Sequence, residues 1–321
     1  MMTSFDKAKE MIGSGKWLHI SGNEDLLKEL PKGNWIGGST EYFMDSTGGT
    51  ITNSKLFVQE IPYSECRIST YDTASISGIT KDAYANGFSI IILPFDSEVH
   101  KEYAKHATEY EDIFLKNIIG WVAGVNLSVA GQTPIAVDGA TGEAYSDKAV
   151  VMHVGLPDDK LATIGIVNIF TQDDKSPIIE FSEDSFSVRT CLVDGKEHVF
   201  SDYIAKNKID TKLPLVGEYS GTGVNVSVKA IEDGIVHLYA PVFKVIKYRM
   251  ASPVLDYSQA FRAQIDKLSG NTDSTFSCNC ILNFLYGELE GKKVQTFFGP
   301  ITFGEIAYQL VNQTLVYLQV I

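Results

Sequence analysis

A single carboxylate invites the first chemical reading of this chain. Glu305 lies in "FFGPITFGEIAYQLVNQTLVYL", residues 297–318, between Gly304 and Ile306 in a run of aromatic, glycine and β-branched residues. A carboxylate removed from water must accept hydrogen bonds or take up a proton. The donors at Glu305 belong either to neighbouring turns, which makes it a brace, or to a ligand amine, which makes it a contact. Gly304 would let another backbone or a ligand come close. Asn312 and Thr314, in "VNQT", supply an amide and a hydroxyl suited to turn chemistry or to a polar pocket wall.

Cys278 and Cys280 stand two apart in "TFSCNCILNFLYG". On one face of a strand their Cα atoms would lie about 7 Å apart, too far along the chain for easy disulfide geometry. Buried thiols there would act as small apolar side chains. A nucleophilic Cys280 or Cys278 would need a base such as His153 or His237 brought close by the fold. Metal chemistry has no support, because no CxxC or H-E-x-x-H occurs and His100 and His106 are six apart on a helix, facing different ways. His153, alone inside "VVMHVG", reads as a hydrogen-bonded structural residue. No G-x-G-x-x-G, P-loop or G-x-S-x-G motif is present, so no cofactor is expected.

The bulk properties narrow the partners. The chain has 321 residues, 44% hydrophobic and 21% charged, which is globular composition. A net charge of −13 with scattered Lys and Arg opposes contact with nucleic acid or an anionic membrane surface. The first residues lack the apolar core of a secretory signal, and "IIGWVAGVNLSVAG" is too short and polar for a helical span. Four cysteines do not make a disulfide framework. The expectation is a soluble, reduced, cytoplasmic protein.

The elements that must position these residues are mixed. Helical spacing marks 4–12, 23–30, 97–116, with Phe114 on its apolar face, and 256–268, closed by Gly270. "FSIIILPF" at 88–95 is a continuous apolar strand, and Asp194-Gly195 and Asp233-Gly234 mark hairpin turns. Residues 276–285 alternate strictly and predict one strand, and "VQTFFG" predicts another. Without regular βαβ alternation the fold class is α+β: two consecutive lobes of mostly antiparallel or mixed sheets flanked by a few helices. The polar "FTQDDKSP" at 170–177 places the boundary between 1–172 and 173–321.

The closing segments resemble the end of a FIST domain: "FSC" at 276–278, "GPITFGEI" at 299–306 and "NQTLVYL" at 312–318 follow one another in that family's order. "WIGGSTEYF" is similar to the family's N-terminal "IGCSTAGE" segment, and "SIIILPFD" to the strand and helix that follow it. The resemblance covers most of the chain as FIST N-like and FIST C-like parts. It implies a sensory module that binds a small ligand, an amino acid or an amine, and acts through a separate protein partner. Two departures stand out: Gly38 replaces a family cysteine, and "CNCILN" lacks the arginine that often follows the "FSC" cysteine.

On that reading Glu305, on Gly304, holds a cationic group, while Asn312 and Thr314 add polar contacts. Gly37, Gly38, Ser39 and Thr40 form a facing turn, since pockets commonly form between domains. Arg249 takes a carboxylate if it is not simply a surface cation. The alternatives are a cysteine-dependent amide hydrolase and an interaction module without a ligand.

Overall fold

Strand Gly87–Pro94 is the axis of the molecule, and every one of its residues is buried. Alternation sends Phe88, Ile90 and Ile92 into one core and Ile91 and Leu93 into another, which is why the run is apolar on both faces. It pairs in parallel with Asn117–Ala123 and antiparallel with Ala149–Gly155. The computed structural model describes residues 1–219, 222–268, 274–293 and 297–321. Gly270, the expected helix stop, and the first half of the expected "VQTFFG" strand lie outside the described residues.

The architecture is α+β, with mixed and antiparallel sheets and few helices. One side of the central sheet packs on a sheet containing Trp17–Gly22, Trp35–Ser39 and Leu56–Ile61, and on a third sheet built from Phe276–Cys280, Gly299–Thr302 and Leu315–Val320. The other side packs on helix Glu98–His106 and on a lobe formed by residues 179–250. That lobe holds a six-stranded sheet and a three-stranded sheet. No helix among the described residues is long and apolar enough to cross a membrane.

The boundary expected between residues 172 and 173 is crossed by strand pairing. Gly299–Thr302 pairs with Tyr42–Asp45, Glu305–Ala307 with Asn117–Ala123, and Leu315–Val320 with Ala162–Val167. The 179–250 lobe thus interrupts a body to which the chain returns. These partners are over a hundred residues apart, so local composition carries no sign of them.

Two expected elements end early. The strand from residue 276 stops at Cys280 and continues as helix Ile281–Tyr286, closed at Gly287. All nine residues 276–284 are buried, so their alternation does not mark a single face, and Leu282–Leu285 contains no β-branched residue to favour extension. Helix Glu98–His106 gives way to short 3-10 turns, and Asp112 adopts a left-handed conformation at φ 59. Phe114 is therefore 57% exposed rather than buried. The Asp194-Gly195 and Asp233-Gly234 pairs both take positive φ, as tight hairpin turns require.

Candidate functional site

Parallel pairing of Phe276–Cys280 with Gly299–Thr302 sets Cys280 beside Thr302, and the chain then turns through Phe303 and Gly304 to deliver Glu305 beneath them. The carboxyl group is wholly buried. Thr302 Oγ1 donates to Glu305 Oε1 at 2.8 Å, while Thr314 Oγ1 and the Thr314 amide donate to Oε2 at 2.8 and 3.2 Å. Burial pushes the Glu305 pKa up to about 8 against the pull of these donors and the Cys280 thiol. Glu305 is thus mainly a neutral acid at pH 7. Thr302 Oγ1 also lies 3.2 Å from the Asn279 carbonyl. A protonated Glu305 can therefore donate to Thr302 while Thr302 donates to Asn279, leaving no donor idle.

Both thiols are buried in this strand. Burial raises the pKa of Cys280 and of Cys278 well above the free value, and the nearby Glu305 adds to the effect. Cys278 Sγ contacts the Gly120 carbonyl at 3.4 Å. His153 is bonded to Tyr71 and Ser89 at 2.9 and 2.8 Å, and His237 to Ser187 at 2.9 Å. A protonated, enclosed thiol is the reverse of an activated nucleophile.

A polar network leads outward from the carboxyl group. The Thr314 carbonyl accepts from Asn283 Nδ2 at 3.0 Å, and Asn283 Oδ1 accepts a short hydrogen bond from the Tyr257 hydroxyl. Gln313 donates to the same hydroxyl at 3.2 Å and to the Lys212 carbonyl at 3.1 Å. Tyr257 begins the helix Tyr257–Lys267, capped by Asp256, and it lines a cavity of about 790 Å³. Lys212, Arg262 and Lys292 share that wall with Asp210, Asp256 and Glu288, so both signs of charge face the space. Lys292 pairs with Glu288 at 3.7 Å, whereas Arg262 has no salt bridge among the described residues.

The remaining expected residues are dispersed. Gly37 and Gly38 form no turn: they are buried within strand Trp35–Ser39. A Cβ on Gly37 would sit 2.8 Å from the Ile20 carbonyl oxygen, and one on Gly38 2.7 Å from the Trp121 ring, so these glycines permit sheet packing. Ser39 and Thr40 bind the carbonyls of Gly124 and Ile301 at 2.9 and 2.8 Å. Arg249 donates to the carbonyls of Ser176 and Asp174 and holds no carboxylate among the described residues. Asn312 fastens the inserted lobe, accepting from the Ser227 amide at 3.2 Å through Oδ1 and from Asn225 through its carbonyl at 3.1 Å. Gly304 lets Leu310 and Val122 close to 3.0 and 3.1 Å of where a Cβ would stand.

Sequence reading passed over a second buried carboxylate, Glu41, although it directly follows Ser39 and Thr40. Asn23 and Gln132 donate to its Oε1 at 2.7 and 3.0 Å, and Asn126 to its Oε2 at 2.7 Å. Desolvation works to raise its pKa, but the three amides together hold it below the ordinary value. Amide side chains at 126 and 132, in a mostly apolar stretch, were the available signal.

The fold and site define an α+β protein whose mixed sheets enclose a neutral carboxyl group behind a charged cavity. A family model matches residues 3–321, and the chain belongs to that family, DUF6976, a family of unknown function. No curated protein and no solved structure matches the chain.

Proposed function

We propose that this protein is a small-ligand-binding sensory module whose ligand occupies the cavity beside Tyr257. The observation that carries this reading is the continuity of that cavity's wall with the buried network: Tyr257 lines a space of about 790 Å³, and its hydroxyl binds Asn283, which leads on to Thr314 and Glu305. A space of that size suits a metabolite. Arg262 offers a carboxylate a guanidinium that has no salt bridge among the described residues, and Asp210 and Asp256 offer charge to an ammonium, so a zwitterion such as an amino acid fits the wall. The resemblance of "FSC", "GPITFGEI" and "NQTLVYL" to a FIST domain supports the same class of function. On this reading Glu305 backs the site through Tyr257 rather than touching the ligand, and a separate, cytoplasmic protein partner receives the signal.

A thermal-shift panel of amino acids and small amines tests the proposal. Ligand at a hundred times its dissociation constant stabilises by about 2.7 kcal/mol, a rise of roughly 4 °C for a chain of this size. At least one amino acid should give that shift, and Arg262→Ala should abolish it while leaving the unliganded melting temperature unchanged. If no compound shifts the transition, or if Arg262→Ala leaves the shift intact, the cavity is not the ligand site.

A further inference from the structure

An amino acid whose carboxylate meets Arg262 leaves its side chain to the rest of the cavity wall. Apolar and aromatic residues supply that part, from three segments far apart in the chain. Leu213 comes from the inserted lobe, Val254, Leu255 and Tyr257 from the start of the helix Tyr257–Lys267, and Tyr286 from the end of the helix Ile281–Tyr286. Leu255 is fully exposed and the other four are partly exposed. A single apolar side chain on a surface needs no explanation. Five converging on one concave space do, because a ligand that covers them gains from each.

The aromatic part is a wall with no slot in it. The Tyr257 and Tyr286 rings meet edge to face with their centres 6.5 Å apart, so a ligand packs along them and not between them. Tyr257 contributes its ring alone, since Asn283 and Gln313 engage its hydroxyl.

The charges exclude other side chains. Three cations and three carboxylates line the space, so the lining carries no net charge. Lys292 pairs with Glu288 at 3.7 Å, and Lys212 faces the Tyr286 ring with its ammonium 5.8 Å from the centre. Asp256 and Asp210 each accept one backbone amide, from Gln259 at 2.8 Å and from Lys212 at 3.0 Å. A zwitterion leaves this balance intact. An acidic or basic side chain brings one charge for which the lining holds no surplus counter-ion, and the overall charge of −13 opposes the acidic one further.

The volume sets the size. About 790 Å³ lies in the upper part of the roughly 300–1,000 Å³ range of small-molecule sites. Glycine or alanine would leave the apolar wall wet.

We propose that this cavity selects an amino acid with a large, uncharged, apolar side chain of the leucine or phenylalanine kind, its carboxylate on Arg262 and its side chain along Val254, Leu255 and Tyr286. The selectivity rests on the reading of the cavity as an amino-acid site.

Calorimetric titration of the full chain with leucine, phenylalanine, glycine, glutamate and lysine, at one ionic strength, is the test. Burial of their side chains should make leucine and phenylalanine bind about ten- to a hundredfold tighter than glycine, with glutamate and lysine no tighter than glycine. Leu255→Ser removes a side chain that lies outside the core, so the melting temperature of the free protein should stay unchanged. The same variant should lose about fivefold or more in affinity for leucine and phenylalanine. Binding of glycine, glutamate or lysine as tight as that of the two apolar amino acids, or wild-type affinity for those two in Leu255→Ser, would overturn the selectivity and leave the amino-acid site standing. Absence of binding by all five would overturn both.

Discussion

Glu41 and Glu305 are the same side chain, both removed from water, and the protein holds them in opposite states. Glu41 meets three side-chain amides, from Asn23, Asn126 and Gln132, and none of these can accept from it without rotating. Each amide is also held at its oxygen: Asn23 caps the helix Glu24–Glu29, Asn126 accepts from the Ser128 amide, and Gln132 accepts from the Asn126 amide. Donors locked in place require an anion. Glu305 instead meets two hydroxyls and a thiol, which can reverse direction, and one fixed donor, the Thr314 amide, within complete burial. Groups that can turn around tolerate the neutral acid, and burial then favours it. The state of each carboxylate thus follows from how deeply it is buried together with whether its neighbours can change roles.

The largest expected effect comes from breaking the first arrangement. Glu41→Gln keeps the shape but places an NH₂ group against at least one fixed amide donor, and it should cost about 3 kcal/mol in denaturant unfolding at pH 7. Because the folded Glu41 pKa is depressed, its charge contributes stability above the ordinary carboxyl pKa and loses it as pH falls through the folded value. The penalty of Glu41→Gln should therefore shrink in acid. A cost well below 1 kcal/mol at neutral pH, on the order of a surface change, would show that the amides are not fixed as described.

The two sites also differ in how far the sequence announced them. Glu305 stands between Phe303 and Ile306, and its burial follows from that apolar setting together with the neighbouring strands. Thr314 was visible as a donor because "NQT" borders the same apolar run. Thr302 and Cys280 were not, because their approach depends on parallel pairing of two strands separated by an intervening segment. Glu41 follows "GGST" and precedes "YF", a setting that fits a polar strand end equally well. Its three amides come from residues 23, 126 and 132, assembled by contacts that no local spacing encodes. The apolar strand at 88–95 and the hairpin turns at Asp194-Gly195 and Asp233-Gly234 were legible because each rests on its own residues. The return of 299–320 to the first body was not, because antiparallel partners more than a hundred residues apart leave no mark on composition.

The smaller effects test Glu305. Folded Glu305 keeps its proton up to about 8, whereas an ordinary carboxyl group releases it near 4.5. Between those values the native state binds the extra proton, so its contribution is whole below the lower value and drains as pH rises to the upper one. Glu305→Gln mimics the neutral acid: its NH₂ can donate to Thr302, whose own proton turns to the Asn279 carbonyl. From pH 7 to 8 the variant should gain on the wild type by about 1 kcal/mol, approaching the 1.4 kcal/mol per pH unit that one proton allows. The amino terminus, lowered to about 6, and the buried histidines titrate in both proteins and cancel from the difference. At pH 6 the substitution itself should cost only about 0.5 kcal/mol, the scale of a satisfied polar exchange. A cost at pH 6 matching that of Glu41→Gln, with a difference that stays flat to pH 8, would mean that Glu305 is an anion too, and that reversible donors do not select the neutral form.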